Sequence, residues 1–458
     1  MSLPVEKNEI YEMRIDALGS NAEGIGRIDG FTIFVEEALP LERVRVRIVK
    51  VKKRFAYGKL LEILEKSPHR TEPYCSVAKR CGGCQLQHLN YEGQLAYKTK
   101  RVQDDLAHIG GLCGVEVLPA LGMENPLRYR NKAQFPVDEK DGEIQIGFYA
   151  RRSHRVVNHE TCYLQDQRND EIVRIIRRFL AENAISPYNE ETHEGLVRHI
   201  FTRIGKTSGE IMVCIVVNGK GLPKEDLLVA QLREVHGIVS ILVNENKEKT
   251  NVVLGRKMRT LWGKDCISDQ LDGITFEISP LSFYQVNPVQ TEVLYDKVME
   301  LAGLSGEETV IDLYCGIGTI SLYLSRRAKQ VFGVEIVPEA IENARRNAET
   351  NGIGNVTFFV GAAEEVIPRL RKAGRIQGDV VVVDPPRKGC DGTLLNTILE
   401  IAPEKIVYVS CNPSTLARDL AILCAESYEV KVVQPVDQFP MTTNVEVCVL
   451  LSRRDAMV

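Results

Sequence analysis

The sequence predicts a multidomain protein in which a small all-β barrel, a mixed α+β central domain and an α/β domain follow one another. Three observations carry this prediction: short strands near the start, a mixed segment that opens with cysteines, and regular strand-helix alternation from about residue 276 onward. A chain of 458 residues is also too long for one hydrophobic core. We place the domains at residues 1–66, 67–270 and 271–458.

The composition is typical of a soluble globular protein, with 44% apolar and 26% charged residues. No apolar run approaches the roughly 18 residues of a membrane span, and MSLPVEKNEIYEMR lacks the apolar core of a signal peptide. We therefore expect a cytoplasmic protein with no membrane partner. Twelve cysteines in a reducing compartment indicate metal binding or chemistry rather than disulfides. The net charge of −4 argues neither for nor against binding to nucleic acid.

The first 66 residues contain short strands punctuated by glycines and show no helical period, which predicts a small, OB-like β-barrel. In the third strand run, arginines alternate with Val44, Val46 and Ile48, so one face should be cationic and the other buried. The alternation slips at Ile48-Val49, which predicts a β-bulge or a barrel corner. That slip would turn the next cations onto the opposite face: Lys50, Lys52 and Arg54.

Cations are concentrated in the same part of the barrel. From Arg43 through Lys59 there are eight basic residues and no acidic ones, with Phe55 and Tyr57 among them. Cations with interleaved aromatic rings suit contact with phosphates and stacking on bases. A solvated edge strand protected by lysines is the alternative. We favour contact with nucleic acid.

The central segment begins with a cysteine cluster, CSVAKRCGGC, which contains Cys75, Cys81 and Cys84. Cys162, in the same segment, is the natural fourth ligand. Four thiolates suit a 4Fe-4S cluster or a structural zinc ion, and the spacing does not separate the two. Three cysteines in ten residues far exceed the average density, which argues against unrelated free thiols.

After the cysteines, the stretch from Glu92 to His108 predicts a helix that stops at Gly110-Gly111. We expect this helix, near residues 93–110, to pack on the C-terminal domain, residues 271–458. A second concentration of cations follows it, around the strand-like run IQIGFY: Arg128, Arg130, Lys132, Arg151, Arg152 and Arg155.

From about residue 276, strand candidates such as TVIDLY, QVFGVEI, DVVVVDPP and KIVYVSC alternate with helical stretches. This predicts a doubly wound, Rossmann-like parallel sheet, which binds ligands beyond the carboxyl ends of its strands. The first strand runs into DLYCGIGT, whose glycines allow close approach of the backbone to a ligand, and Glu335 ends the next strand, where an acid can bind ribose hydroxyls. Ser321 stands at the third glycine position of the dinucleotide-binding motif, which argues against NAD as the cofactor and favours S-adenosylmethionine. A structural turn that binds no ligand is the remaining alternative.

Two further strand ends carry residues that could react with a ligand or bind it. In Asp384-Pro385-Pro386-Arg387 the prolines lock φ and remove amide donors, so a rigid loop offers an acid to the crevice. Acid-Pro-Pro loops at this strand end are a feature of methyltransferases that act on nucleic-acid bases. Cys411, between a strand and an Asn-Pro turn, is a candidate nucleophile, while a buried apolar filler is the equally weighted alternative.

Together these motifs resemble the bacterial RNA uracil-5 methyltransferases, most closely the 23S rRNA type with a TRAM domain and an iron-sulfur cluster. The resemblance covers essentially the whole chain: the basic barrel, the four cysteines, FYQVNP, DLYCGIG, DPPR, SCNP and the terminal TTNVEVCVLL. It implies that Cys411 is the nucleophile and Glu446 the general base. It also implies a 4Fe-4S cluster on Cys75, Cys81, Cys84 and Cys162, and S-adenosylmethionine contacts from Gln285, Tyr314, Glu335 and Asp384.

The resemblance implies methylation of carbon 5 of a uridine in 23S rRNA, through a covalent bond between Cys411 and carbon 6. A tRNA uridine-5 enzyme, an RNA cytosine-5 enzyme and a non-catalytic RNA-binding iron-sulfur protein are the alternatives. Relatives specialised for tRNA generally lack both the barrel and the cluster, which favours rRNA. We expect RNA rather than DNA as the partner, and a monomer. One departure from the family is Asn444, where many relatives have histidine.

Overall fold

The computed structural model describes residues 3–374, 376 and 378–454. The described residues form a closed five-stranded barrel, two seven-stranded sheets and a separate two-stranded hairpin. No helix in this part of the chain is both long and apolar enough to cross a membrane. The barrel closes in the order β1-β2-β3-β5-β4. Its strands are β1 (Ile10–Leu18), β2 (Gly24–Ile28), β3 (Phe31–Val35), β4 (Arg43–Val51) and β5 (Phe55–Glu65).

The predicted pattern of β4 is confirmed. Val44, Val46 and Ile48 are fully buried in the barrel core. The register between β4 and β5 shifts between Ile48 and Lys50, at the predicted slip. A period of two with one interruption was therefore enough to define both the buried face and the bulge.

The arginine face of β4 is less cationic than the sequence suggests. Glu12 on β1 pairs with Arg43 at 2.8 Å and with Arg45 at 3.0 Å. Glu62 on β5 pairs with Arg45 at 2.6 Å. Barrel closure brings these acids from distant positions in the chain to both sides of β4, so most of the charge on this face is balanced.

Beyond the bulge the charge of the cations is not balanced by acidic side chains of the described residues. Residues 50–54, the basic tip, carry Lys50, Lys52, Lys53 and Arg54, and none of these four forms an ion pair with a described residue. An aromatic cluster lies beside the tip: the ring centroid of Phe55 is 5.5 Å from the centroids of both Phe34 and Tyr57. The surface suited to phosphates and bases is therefore the tip, not the arginine face.

The central sheet has the strand order β12-β11-β10-β9-β6-β7-β8. It is preceded by helix α1, and the pair β9 and β10 is buried along its whole length. The elements are α1 (Tyr91–His108), β6 (Lys132–Lys140), β7 (Glu143–Tyr149), β8 (Val156–Asn158), α2 (Arg168–Glu182), β9 (Val197–Ile204), β10 (Ile211–Val217), α3 (Glu225–Leu232), β11 (Ile238–Glu245) and β12 (Lys257–Gly263).

The C-terminal sheet has the order β17-β16-β15-β18-β19-β21-β20, next to a hairpin of β13 and β14. The elements are β13 (Ile267–Leu271), β14 (Ile274–Ile278), α4 (Pro288–Ala302), β15 (Thr309–Leu313), α5 (Thr319–Leu324), β16 (Gln330–Glu335), α6 (Pro338–Thr350), β17 (Val356–Val360), α7 (Ala363–Lys372), β18 (Val380–Val383), α8 (Gly392–Ile401), β19 (Lys405–Ser410), α9 (Pro413–Leu423), β20 (Tyr428–Val436) and β21 (Glu446–Arg453).

The predicted doubly wound sheet is confirmed with one correction. Strands β15 to β19 pair in parallel, and the strand order reverses between β15 and β18. The prediction of a parallel sheet does not hold at β21, which runs antiparallel to β19 and β20. No crossover helix separates β20 from β21 in the described chain, and without a crossover two neighbouring strands can only pair antiparallel.

The two large sheets share a hydrophobic core. Phe201, Met212 and Leu242 of the central sheet pack in one cluster with the β13–β14 hairpin and α4. The predicted helix α1 is confirmed, and it packs on α9 rather than on the central sheet, with Val102 and Leu106 in the core of the C-terminal sheet. The proposed boundary after residue 270 falls inside β13, and the three domain limits stay predictions.

Candidate active site and cysteine cavity

A cavity of about 630 Å³ opens at the carboxyl edge of the C-terminal sheet, where the strand order reverses. Open α/β sheets bind ligands at this position. All six residues that the sequence assigns to the nucleophile, the base and the cofactor line this one cavity: Gln285, Tyr314, Glu335, Asp384, Cys411 and Glu446. Residues up to 161 positions apart in the chain therefore meet at one site.

The loop after β15 forms the floor of the cavity. Tyr314, Gly316 and Gly318 all have positive φ angles, of 65°, 54° and 83°. A side chain at Gly318 would place its Cβ 2.8 Å from the ring of Phe358, so only glycine fits there. The carboxylate of Glu335 accepts hydrogen bonds from the backbone N–H of Gly316 at 3.3 Å and of Val337 at 3.0 Å. Because a carboxylate has about four acceptor sites, Glu335 is held in place and can still bind a hydroxyl.

Cys411 lies directly after β19, in a turn that is fixed on both sides. Asn412 caps α9, because its Oδ1 accepts a hydrogen bond from Ser414 N at 3.2 Å. Its Nδ2 donates to the carbonyl oxygen of Arg387 at 2.9 Å, and its backbone N–H donates to Ser410 Oγ at 3.1 Å. The Asn-Pro turn thus ties the thiol to the acid-Pro-Pro loop.

Glu446 is the first residue of β21, and its side chain is only 3% exposed. Since β21 runs antiparallel to β19, the start of β21 lies beside the end of β19, where Ser410 pairs with Val447. The correction to the sheet topology therefore explains why Glu446 and Cys411 line the same cavity. Asn444 donates to Thr442 Oγ1 at 3.4 Å, so it braces its own loop and makes no hydrogen bond with Glu446 in the described structure.

Burial governs the protonation of these groups. It raises the pKa of Glu446, the nearby Asp384 carboxylate raises this pKa further, and Arg387 opposes the shift. Burial also raises the pKa of Asp384. Burial raises the pKa of Cys411 to about 11, with added effects of Glu446 and Asp384. At neutral pH the thiol is therefore protonated in the free protein.

Some lining residues were missed by the sequence analysis. Phe283, which is 68% exposed, stands at the rim, and Phe439 contributes from the β20–β21 loop. Phe283 belongs to the quoted motif FYQVNP, so its motif position was a usable signal. Phe439 follows no periodic pattern, and only the fold reveals it.

The four predicted ligand cysteines line a second cavity, of about 270 Å³: Cys75, Cys81, Cys84 and Cys162. The cysteine loop is fixed to β7, because Gly82 N donates to Tyr149 O at 2.9 Å. Arg130 and Lys132 also line the cavity, and no described lining residue is an Asp or Glu. Within the described ranges, no group of three or more His, Cys, Asp or Glu side chains is arranged to hold one metal ion. All four thiols are free cysteines.

Comparisons with known proteins identify the family. A sequence profile described as tRNA (Uracil-5-)-methyltransferase matches residues 91–454, and a TRAM domain profile matches residues 4–61. The chain belongs to the RNA uracil-5 methyltransferase family. It is therefore an RNA methyltransferase with an N-terminal TRAM domain. The family profile begins at the first residue of α1, in agreement with the packing of α1 on the C-terminal sheet.

Relatives of this uracil-5 methyltransferase match it from end to end. An RNA methyltransferase of Clostridium acetobutylicum, described as uncharacterized, is 52% identical over 456 residues and covers 99% of both chains. One from Halalkalibacterium halodurans is 49% identical over 453 residues, also with 99% of both chains. The solved Pyrococcus abyssi tRNA (uracil-54, C5)-methyltransferase, in complex with S-adenosyl-L-homocysteine, is 30% identical with a TM-score of 0.77.

The Pyrococcus abyssi structure also corrects one expectation. It covers 96% of this chain and 100% of its own, so the likeness extends into the TRAM barrel. The generalisation that relatives acting on tRNA lack the barrel does not hold for that protein. Presence of the barrel is therefore a weak guide to the RNA substrate.

In this uracil-5 methyltransferase, Cys411 should react faster as the pH rises, because only the thiolate is nucleophilic. With a pKa of about 11, the thiolate is a small minority from pH 6 to pH 9, so alkylation by iodoacetamide should accelerate about tenfold per pH unit. The rate is measured by mass spectrometry of the peptide that carries Cys411, and Cys411→Ala identifies that peptide. A rate that levels off below pH 8 would show that the pKa is not raised.

Proposed function

We propose that this protein methylates carbon 5 of a uridine in 23S rRNA with S-adenosylmethionine, through a temporary covalent bond between Cys411 and carbon 6. The supporting observation is the single cavity that holds Cys411, Glu446 and the glycine loop after β15. A thiol and a base on two adjacent strand ends match a reaction that needs a nucleophile first and a base later.

The chemistry follows from the weakness of uracil carbon 5 as a nucleophile. The thiol of Cys411 first loses its proton to solvent, and the thiolate then adds to carbon 6, which breaks the 5,6 double bond and moves its electron pair toward carbon 5 as an enolate. When bound, S-adenosylmethionine supplies the electrophilic methyl group. Glu446 then removes the hydrogen from carbon 5, the double bond re-forms, and the bond to Cys411 breaks with return of the thiolate.

Residues of this chain fit the cofactor. The positive-φ loop at Tyr314 and Gly316 brings backbone close to the cavity, and no atom lies within 4 Å of the place that a Cβ at Gly316 would take, so space for a ligand is left there. Glu335 is the group for ribose hydroxyls, with Gln285, Tyr314 and Asp384 as further contacts. The Pyrococcus abyssi relative binds S-adenosyl-L-homocysteine and has the same overall fold.

Positioning, and not a low pKa, activates the thiol. Burial holds the pKa of Cys411 well above its usual value, so only a small fraction of Cys411 is thiolate in the free protein. The turn that joins Asn412 to Arg387 aims the sulfur instead. Effective molarities of about 10⁵ M or more are reached by such alignment, which outweighs a small thiolate fraction. Carbon 6 of a stacked base is out of reach, so the uridine must be flipped or unpaired.

The choice of RNA separates two candidate functions. We favour 23S rRNA because the cysteine motif, together with the other sequence motifs, resembles the 23S rRNA type, whereas the Pyrococcus abyssi relative acts on tRNA and favours tRNA as the second candidate. Mass mapping of 5-methyluridine and 5-methylcytidine in rRNA and tRNA, from cells with and without the gene, decides between them. Loss of a methyluridine from 23S rRNA supports the proposal, and loss from tRNA alone supports the second candidate. Loss of methylcytidine would identify a cytosine-5 enzyme.

Neutralising the basic tip should weaken RNA binding and flatten its salt dependence. The variant Lys50→Gln, Lys52→Gln, Lys53→Gln and Arg54→Gln removes four cations that no described carboxylate balances. The slope of log affinity against log salt should fall by about 0.7 to 0.9 for each RNA phosphate that the variant no longer neutralises. A salt titration of RNA binding measures this slope.

The matched control removes balanced charges from the same strand. Arg43→Gln and Arg45→Gln, combined with Glu12→Gln and Glu62→Gln, delete two cations and two anions that pair with one another. This variant should leave the slope nearly unchanged. Equal slopes for wild type and the tip variant would refute the role of the tip.

We also propose a 4Fe-4S cluster on the four cysteines. The four predicted ligand thiols line one cavity, of about 270 Å³. Four thiolates on a 4Fe-4S core leave a net negative charge, which Arg130 and Lys132 in the lining would balance. Methyl transfer contains no redox step, so a structural role is expected.

Metal analysis tests the cluster. Protein purified without oxygen should contain about four iron and four inorganic sulfide per chain, and Cys84→Ser should lose both. Cys214→Ser is the control, because Cys214 is a fully buried cysteine of the central sheet away from the cavity. One zinc ion per chain, without sulfide, would overturn the assignment.

A further inference from the structure

The segment that leads into Glu446 is held by groups outside the catalytic sheet. Residues 437–443, here called the strap, connect β20 to the loop before β21. Phe439 of the strap lines the active-site cavity, and Glu446 follows the strap by three residues. The position of the strap therefore determines where both groups stand in the cavity.

Helix α1 holds the start of the strap. Lys98 and Asp437 form an ion pair, and the side chains of both are fully buried. Lys98 Nζ also donates to Phe439 O at 3.0 Å, and the hydroxyl of Tyr91 donates to Asp437 Oδ2 at 2.8 Å. A buried ion pair is a poor source of stability compared with apolar packing. Here it gives the strap one defined position.

Met441 is the second point of attachment. Its φ of 67° is unfavourable for a residue with a side chain, and such a conformation persists only where several contacts impose it. Its carbonyl oxygen accepts hydrogen bonds from Gln85 N at 3.0 Å and Leu86 N at 3.1 Å, next to the cysteine motif. Its own N–H donates to Gln94 Oε1 at 2.9 Å. The side chain is fully buried and packs in one cluster with Cys84.

The end of the strap is also fixed to α1, because Arg101 donates to Thr443 O at 2.5 Å. The nucleophile is attached differently, since the turn at Cys411 is bonded to Arg387 through Asn412. Helix α1 also contacts the helix after the nucleophile, because Ser414 Oγ donates to Asp105 at 2.8 Å, but this contact lies in a later part of α1 than Tyr91, Gln94 and Lys98. Loosening the strap should move Glu446 and leave Cys411 in place.

We propose that Tyr91, Gln94 and Lys98 of α1 are positioning residues that place Glu446, through the strap, for removal of the hydrogen from carbon 5. This inference rests on the proposed function. It also explains why a uracil-5 methyltransferase carries α1 as part of its catalytic unit, and it links the cysteine loop to the chemistry without any redox step.

Two variants at separate attachment points test the inference. Tyr91→Phe removes the hydroxyl that bonds Asp437, and Gln94→Met removes the amide that bonds Met441. Both should slow release of methylated RNA by about tenfold or more, in the range expected for a displaced base. A denaturation-stable adduct with unmodified RNA from cells lacking the gene should accumulate in both variants and not in wild type. Methyl transfer to that adduct should keep its wild-type rate.

Tyr97→Phe is the matched control. Tyr97 lies on the same helix, but its hydroxyl donates to Gly19 O at 3.0 Å and does not contact the strap. This variant should release product at the wild-type rate without an adduct. If Tyr91→Phe and Gln94→Met slow both steps equally, or neither step, the inference is wrong while the proposed function stands. If wild type forms no adduct even with RNA that contains 5-fluorouridine, the proposed function and the inference fail together.

Discussion

Replacing Cys411 by alanine should reduce methyl transfer by roughly 10⁴-fold or more, the scale of loss seen when an enzyme loses a covalent nucleophile. Without the sulfur, carbon 5 of uracil keeps its low nucleophilicity, and the methyl group has no partner. Transfer of a labelled methyl group to RNA in a single turnover measures the effect. Cofactor binding should be unchanged, because the glycine loop and Glu335 belong to other strand ends.

A cysteine at the opposite end of the same helix gives the control. Cys424 caps the C-terminal end of α9 and does not line the active-site cavity, so Cys424→Ala should keep most of the activity. Methylation by Cys411→Ala within tenfold of wild type would refute covalent catalysis. RNA with 5-fluorouridine offers an independent check, because Glu446 finds no hydrogen to remove from carbon 5 and the adduct cannot resolve. The trapped peptide should contain Cys411.

Replacing Glu446 by glutamine should slow turnover by about 10²-fold to 10⁴-fold, the usual contribution of a positioned base. Glutamine has nearly the same shape but cannot take a proton. Bond formation with Cys411 and methyl transfer should continue, so a methylated protein-RNA adduct should accumulate with ordinary uridine. Gel analysis under denaturing conditions measures the adduct. Product release at the wild-type rate would remove Glu446 from the mechanism.

The pH dependence separates the base from other roles of Glu446. Burial first, and the Asp384 charge second, raise the pKa of Glu446, so its basic form predominates only above that raised value. Product release by wild type should therefore increase as the pH rises through the folded pKa, and this increase should be absent in Glu446→Gln.

The same shift affects stability with a defined sign. Between the ordinary carboxyl pKa of 4.5 and the raised folded pKa, the folded state binds more protons than the unfolded state. Stability from this group is present at low pH and is lost as the pH rises through the folded pKa. Glu446→Gln should remove that loss, so its thermal midpoint should exceed that of wild type above the folded pKa. A lower midpoint at every pH would show that the carboxylate has a stabilising partner.

The local sequence was enough to predict most of the residues that line the candidate active site. In a parallel sheet every strand delivers its last residues to one edge, so recognising strand ends was enough to predict that Tyr314, Glu335, Asp384 and Cys411 would meet. The period of two in β4 likewise located the buried face and the bulge at Ile48. These features depend on short-range periodicity and on stiff or permissive residues, which are visible without a partner.

Features that need a distant partner were decided only by the tertiary structure. Glu12 balances the charge of Arg43 and Arg45 although it is more than thirty residues away in the chain, and no local sequence pattern predicts this pairing. The reversal of β21, the strap held by Lys98, and the raised pKa of Cys411 have the same origin. Residue type and spacing determined which groups could react. Burial and long-range contacts decided the charge of these groups, the residues that hold them and the direction of β21. Burial and long-range contacts arise only when separate segments of the chain pack together and exclude water.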